Sequence, residues 1–227
     1  MTRNIKHVRL SGAIAVVALL AATSASAYTV TAGGTAAGID GVKSSHAGAI
    51  MTDFNSNFAN PIGYVGGGVE LGNSSGNWAS PPADTTNYFS VGPSTSAIAT
   101  ISLGFDSNYF GYYGGSPDLY NSIELWHSGL LVGSFSGATL AAAIPHPADG
   151  NQSVGAYVNI SASNASEYFD TIKILSTSNA FETDNHAVTQ VPEPESYAMF
   201  MAGLGLMGFI ALSKRRTPIH EGLENYS

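Results

Sequence analysis

Short runs of β-branched and aromatic residues, each closed by Gly, Pro, Asn, Asp or Ser, limit most strongly how the middle of this 227-residue chain can fold. The middle has no evident repeat and no long helical periodicity. Ten runs are typical of strands, at residues 49–54, 64–71, 87–91, 97–103, 109–113, 122–127, 130–135, 155–161, 168–175 and 180–188. The pattern predicts an all-β fold, an antiparallel two-sheet sandwich of jelly-roll type.

Charge is distributed unevenly along the chain. The sequence holds 8 Lys and Arg against 16 Asp and Glu, for a net charge of -8. Only Lys43 and Lys173 lie in the middle, because the other basic residues flank the apolar segments near the two ends. An acidic middle repels phosphate, so nucleic-acid binding is excluded. The chain has no cysteine, so packing, with or without a bound cation, must stabilise the fold.

The first 27 residues have the pattern of a secretory signal peptide. Basic residues precede an apolar run at residues 10–22, and Ala25 and Ala27 form an A-x-A cleavage site. The alternative is an uncleaved N-terminal anchor, but the run is short for a membrane span. The pattern therefore predicts export, with cleavage by signal peptidase after Ala27.

The C-terminal region combines three features in order. Pro192, Glu193 and Pro194 come first, then residues 197–213 without any charge, and then a basic cluster of Lys214, Arg215 and Arg216. As a helix, the uncharged run would be about 25 Å long, enough for a thin bilayer, with the basic cluster in the cytoplasm. We predict a C-terminal transmembrane helix preceded by an extended Pro-Glu-Pro segment. A plain C-terminal anchor is the alternative.

This order of features resembles the PEP-CTERM sorting signal. The resemblance implies recognition by an exosortase, a membrane cysteine peptidase, and cleavage near the Pro-Glu-Pro motif. It divides the chain into a signal peptide (1–27), a β-sandwich ectodomain (28–190), a sorting signal (191–216) and a cytoplasmic tail (217–227), which is longer than usual. The protein is then expected at the cell envelope, the cell surface or the extracellular matrix, after transient anchoring in the inner membrane.

A second resemblance covers most of the middle. The Tyr-Phe-Gly segment at residues 109–111, the Gly-Ser-x-Asp turn at 115–118 and the Tyr-Asn pair at 120–121 are similar to a family of exosortase-dependent surface proteins. Residues 53–55, 84–88 and 181–188 fit the same family. The resemblance implies a surface or biofilm-matrix location and supplies no catalytic residue.

Aromatic residues suggest a second role, as a carbohydrate-binding module for exopolysaccharide. Trp78 lies in a long loop at residues 73–87, where an exposed indole could stack on a sugar. Tyr112, within the Tyr-rich segment, and Trp126, which follows that segment, are the other candidate glycan contacts. The competing interpretation is that Trp78 packs beneath its own loop.

Residues 181–188 also resemble the last strand of carbohydrate-binding β-sandwich modules, where acidic and amide side chains lie near a structural calcium. The candidate ligands are Glu182, Asp184 and Asn185, with Asp53 or Asp106 brought in by the fold. Alternatively, alternating Glu182 and Asp184 line the solvated face of an edge strand. We expect no other cofactor.

Catalytic patterns are weak. The sequence lacks a G-x-S-x-G nucleophile elbow and an H-E-x-x-H zinc motif. Asp106, Asp118 and Glu124 lie near one another in sequence and could supply paired carboxylates for glycoside hydrolysis, the least favoured hypothesis. The expectation is therefore a non-catalytic exported protein.

Overall fold

The computed structural model describes residues 28–55, 62–115, 117–144, 147–192 and 194–214. Several predictions fall outside these ranges. They are the signal peptide with its cleavage site Ala25 and Ala27, Glu193 of the sorting motif, Arg215 and Arg216 of the basic cluster, and the tail at residues 217–227.

The described residues form strands β1 to β13, helices α1 and α2 and one 3₁₀ turn at Ala165–Glu167. The strands are Thr29–Ala32, Thr35–Ala36, Val42–Lys43, Ile50–Thr52, Gly63–Val65, Gly68–Leu71, Asn87–Val91, Ile98–Gly114, Asn121–His127, Leu130–Ser136, Ala156–Ser161, Phe169–Ser176 and Phe181–Gln190. The helices are Gly137–Ala143 and Pro194–Lys214. The ten predicted runs all coincide with strands, whereas β1, β2, β3 and α1 were not predicted.

Eleven of the strands form one curled antiparallel sheet with the order β10-β9-β12-β8-β13-β7-β6. Strands β5 and β11 also pair with β8, β1 pairs with β11, and β4 pairs with β13, while β2 and β3 form a separate ribbon. The all-β antiparallel prediction is confirmed. The two separate sheets of the predicted sandwich are not found, because hydrogen bonding between strands continues from one half to the other.

Strand β8 makes this continuity possible. Its first part pairs with β5 and β12 around Ile101, and its second part, from Tyr109, pairs with β11 and β13. The sequence predicted two strands separated by a turn at residues 104–108. Gly104 adopts a positive φ of 74°, and there the register with β12 shifts, so the strand bends without ending.

The core follows the alternation of the strands. Ala99, Ile101 and Leu103 are buried on one face of β8. They join a cluster formed with β9, β11 and β12 that includes Ile123, Leu125, Val158, Ile160, Ile172 and Ile174. Burial of these side chains, at about 25 cal/mol per Å² of apolar surface, is the main stabilising contribution available to a chain without disulfides.

Strand β13 is buried along almost its whole length. It pairs with β8 on one side and with β7 and β4 on the other. The alternative that Glu182 and Asp184 line an edge strand is therefore wrong. Burial of polar side chains in a central strand is costly unless each finds a hydrogen-bond or ionic partner.

Glycines explain another difference from the sequence prediction. A single strand was expected at residues 64–71, but Gly66 and Gly67 have positive φ values of 80° and 69° and separate β5 from β6. A Cβ at Gly67 would lie 2.3 Å from the Phe89 ring. Only glycine allows this tight reversal, because other residues would be strained and would clash.

Helix α2 begins at Pro194, three residues before the predicted helix. Pro192 is outside regular structure as expected, whereas Pro194 occupies the first helical turn, where proline is tolerated. Among the described residues, no helix has the length and apolar character needed to cross a membrane. The transmembrane prediction is therefore not confirmed.

Candidate functional site

An open groove of about 340 Å³ lies beside β13, under the long loop that joins β6 to β7. Trp78 and Tyr120 supply aromatic surface to its wall, and both are half-buried. Polar groups line the rest of the wall, including Asp118, Gln152, Asn179 and Glu182. The groove thus combines aromatic rings with carboxylate and amide side chains.

Local hydrogen bonds fix the position of Trp78. The amide of Trp78 donates to the Ser74 carbonyl at 3.1 Å, and the Ser74 amide donates to the Trp78 carbonyl at 2.9 Å. One residue further along, the Ala79 amide donates to Glu182 Oε1 at 2.8 Å. These hydrogen bonds close the loop into a turn and attach it to β13.

Glu182 acts as the attachment point between the groove and the sheet. It is 5% exposed, and the Gln152 amide donates to its Oε2 at 3.3 Å. Burial raises the pKa of Glu182 to about 7, the Ala79 amide opposes this shift, and nearby Asp118 adds to it. Both carboxyl oxygens of Glu182 are thus occupied by donors from the protein itself.

Asp184, two residues after Glu182 in β13, belongs to a cluster of aspartates. Carboxylate oxygens of Asp40, Asp84 and Asp184 all lie within 4.8 Å of one another. Asp40 lies between β2 and β3, Asp84 lies in the β6–β7 loop, and Asp184 lies in β13. We call these three residues the aspartate triad.

Backbone contacts bring the two loops of the triad together. Asp40 and Asp84 form an isolated β-bridge, and the Asn185 side-chain amide donates to the Asp40 carbonyl at 2.6 Å. Gly41 lies against Tyr113, where an added Cβ would be 2.2 Å from a ring carbon. The close approach of the Asp40 loop to the sheet therefore requires glycine.

The side-chain donors around the triad contact one oxygen of Asp40 and one oxygen of Asp84. The Thr86 hydroxyl lies 2.6 Å from Asp40 Oδ1 and 2.7 Å from Asp84 Oδ1. Asn55 donates to Asp40 Oδ1 at 2.6 Å. In contrast, Asp84 Oδ2 and both oxygens of Asp184 accept no well-formed hydrogen bond within the described residues, although the Asn185 backbone amide and the Asp84 carboxyl lie close enough to Asp184 to interact with it.

The electrostatics of the triad follow from its burial. Asp184 is fully buried and Asp84 is 4% exposed. Burial raises the pKa of Asp184 to about 10, the Asn185 backbone amide opposes this, and the charges of Asp84 and Asp40, together with the side-chain contact with Asp84, raise it further. Burial also raises the pKa of Asp84. With a pKa of about 10, Asp184 holds a proton at neutral pH, and all three carboxyls can ionise together only if a positive charge lies among them.

The comparison with known proteins concerns the other end of the chain. A family model for the PEP-CTERM protein-sorting motif matches residues 190–216. The chain carries a PEP-CTERM sorting motif. No curated protein matches the chain. The motif indicates sorting by an exosortase system to the cell surface, with an exosortase-type peptidase as a partner.

In the folded chain, the predicted calcium ligands lie in different places. Asp184 belongs to the triad, and Asn185 supports it through the Asp40 backbone. Glu182 faces the groove instead. Asp53 accepts a hydrogen bond from the Asn55 amide at 3.1 Å and is not part of the triad.

Asp106, the other predicted ligand, lies in a second group with His127 and Asp170. His127 Nε2 is 3.3 Å from Asp106 Oδ1, and the two side chains are 40% and 46% exposed. The Ser128 amide donates to Asp170 Oδ2 at 2.7 Å. This exposed group, which we call the hairpin cluster, supports the turn between β9 and β10.

The predicted glycan contacts also divide. Trp78 lines the groove. Trp126 lies outside it, donating to Glu124 Oε2 at 2.9 Å, with Lys173 Nζ 4.0 Å from its ring centroid. Tyr112 is 1% exposed and packs against the core, so the prediction that it contacts a glycan is wrong.

The acidic residues considered for glycoside hydrolysis do not form one site in the described residues. Asp118 lies in the groove, Asp106 lies in the hairpin cluster, and Glu124 pairs with Trp126. Sequence reasoning missed Asp40 and Tyr120 as site residues, and it read Asp84 only as a family landmark. The acidic positions in two Gly- and Pro-rich loops were the available signal.

Proposed function

We propose that the chain is a non-catalytic exported protein that is sorted to the cell surface or its polysaccharide matrix, where its β domain binds a glycan through the Trp78 groove. The presence of Trp78 and Tyr120 in one groove with carboxylate and amide groups carries the proposal. Aromatic rings stack on the apolar faces of sugars, and carboxylates and amides bond to their hydroxyls.

The dimensions and openness of the groove favour a surface ligand. Its volume of about 340 Å³ is at the small end of ligand pockets. An open groove suits a short stretch of a longer polymer, because the neighbouring units can continue into solvent. Exopolysaccharide at the cell surface would be such a polymer.

The hydrogen bonding of Glu182 favours binding over catalysis. A general acid needs a carboxyl oxygen directed at the substrate, but the two oxygens of Glu182 accept from Ala79 and Gln152. A glycoside-active enzyme is the second candidate, because Asp118 and Glu182 line the same groove. That function would need both carboxyls to flank a glycosidic bond.

The C-terminal segment is proposed to hold the chain at the inner membrane until the exosortase cleaves near Pro192. The support is the matched motif and the uncharged run at residues 197–213. Fractionation of strains with and without the exosortase tests this step. We expect the shortened product only with the enzyme and a full-length, membrane-retained chain without it. The same retained full-length chain in both strains would refute exosortase sorting.

Binding of the purified full chain to exopolysaccharide from the producing strain tests the groove. Trp78→Ala should weaken binding about 5- to 10-fold, because a stacked aromatic ring contributes about 1–1.5 kcal/mol. Trp126→Ala is the matched control and should bind like the natural protein. Equal binding by both variants would contradict the groove assignment. Release of new reducing ends would instead support the enzyme.

A further inference from the structure

The aspartate triad holds buried carboxylate oxygens that no hydrogen bond within the described residues satisfies. Asp184 is fully buried, and neither its two oxygens nor Oδ2 of Asp84 accepts a well-formed hydrogen bond. A buried carboxylate is costly unless it is paired, hydrogen-bonded or bound to a metal. The unsatisfied oxygens belong to side chains whose ligand atoms converge within 4.8 Å.

We propose that Asp40, Asp84 and Asp184 bind a calcium ion. The donors are all oxygen, without histidine or cysteine, which selects a hard cation over zinc or copper. The triad also draws its ligands from two loops and a strand. Such a flexible, irregular donor set suits calcium better than magnesium, which requires near-ideal octahedral geometry.

The hairpin cluster provides an internal contrast within the described residues. It also brings together oxygen and nitrogen ligands, but its side chains are roughly half exposed. Donors already satisfy both oxygens of Asp170, through the Ser128 amide and the Thr171 hydroxyl. The hairpin cluster therefore has no buried charge for a cation to offset, and the inference is confined to the triad.

A calcium ion at the triad would join the Asp40 loop and the β6–β7 loop to β13. The β6–β7 loop also carries Trp78, six residues before Asp84. Removal of calcium should therefore loosen the wall of the groove and weaken ligand binding. This last step rests on the proposed glycan function, whereas calcium binding itself does not.

Calorimetric titration and thermal melting of the full chain, after treatment with EDTA, test calcium binding. We expect a dissociation constant of about 0.1–1 mM, as in extracellular calcium modules. A calcium concentration 100-fold above that constant should raise the melting temperature by roughly 5–10 °C. Asp184→Asn should abolish this rise, and Asp106→Asn, the matched control in the hairpin cluster, should retain it.

If Asp184→Asn fails to fold, Asp40→Asn gives the same test at a less buried position. Two results would overturn the inference: no heat and no thermal shift with calcium, or an undiminished shift in the triad variants. A larger shift with magnesium than with calcium would overturn the assignment to calcium. Calcium binding by a chain that binds no glycan supports the inference and refutes only the proposed function.

Discussion

The aspartate triad and the hairpin cluster contain similar residues in opposite environments. Asp106 and His127 are about half exposed and contact each other, whereas Asp84 and Asp184 are buried with oxygens that lack hydrogen-bond donors. Exposed pairs contribute little to stability, because water already solvates both charges. The two clusters therefore differ in burial and in unsatisfied oxygens, and for this reason we propose a cation only at the triad.

The largest expected difference between the two clusters concerns stability in calcium. At a calcium concentration 100-fold above the dissociation constant, Asp184→Ala should lower the free energy of unfolding by about 3 kcal/mol, because the binding energy is lost. Asp170→Ala, which loses a partly exposed turn contact, should cost about 1 kcal/mol or less. Urea denaturation in calcium measures both. Equal losses would remove the distinction between the clusters.

A pair of threonines gives a smaller contrast. The Thr86 hydroxyl lies against Asp40 and Asp84, and the Thr171 hydroxyl donates to Asp170 Oδ1 at 2.8 Å. Thr86→Val should cost about 1–2 kcal/mol, because it removes the donor to two carboxylates. Thr171→Val should cost about 0.5 kcal/mol or less, since water can replace the hydroxyl. Denaturation midpoints of the two variants measure this difference. A larger loss of stability for Thr171→Val than for Thr86→Val would contradict the prediction.

The smallest expected effect has opposite signs in the two clusters. In EDTA, Asp84→Asn should raise the free energy of unfolding by about 1 kcal/mol, because it removes the buried negative charge that Asp84 places beside Asp40. Its amide can also donate to the unsatisfied Asp184 carboxylate. Asp106→Asn should lower stability by up to about 0.5 kcal/mol, through the weakened contact with His127. Thermal melts in EDTA give both signs, and a fall for Asp84→Asn would show that repulsion is unimportant.

Local sequence patterns predicted most of the strands, because turn residues and β-branched runs act over a few positions. They failed where glycines bend a strand or divide it. Gly104 bends β8 without ending it, and the Gly66 and Gly67 pair divides one predicted strand into two. Tyr112 was misjudged for a different reason, because its burial follows from the central position of β8 in the sheet.

The candidate sites were less predictable, because their residues converge from distant parts of the chain. Asp184 was identified from its own strand, but Asp40 lies 144 positions earlier and meets it only through the folded loops. The loop position of Trp78 was correct, whereas its neighbour Tyr120 in the groove depended on the path after β8. Pairings of this kind are set by topology, which the sequence pattern does not encode locally.

The central position of β13 has a consequence for the timing of folding during export. This strand comes last among the strands, yet β8, β7 and β4 all pair with it. A chain that crosses a membrane from its N-terminus cannot close its sheet until residues 181–190 have emerged. The matched sorting motif begins at residue 190. Completion of the fold and emergence of the sorting motif are therefore nearly simultaneous.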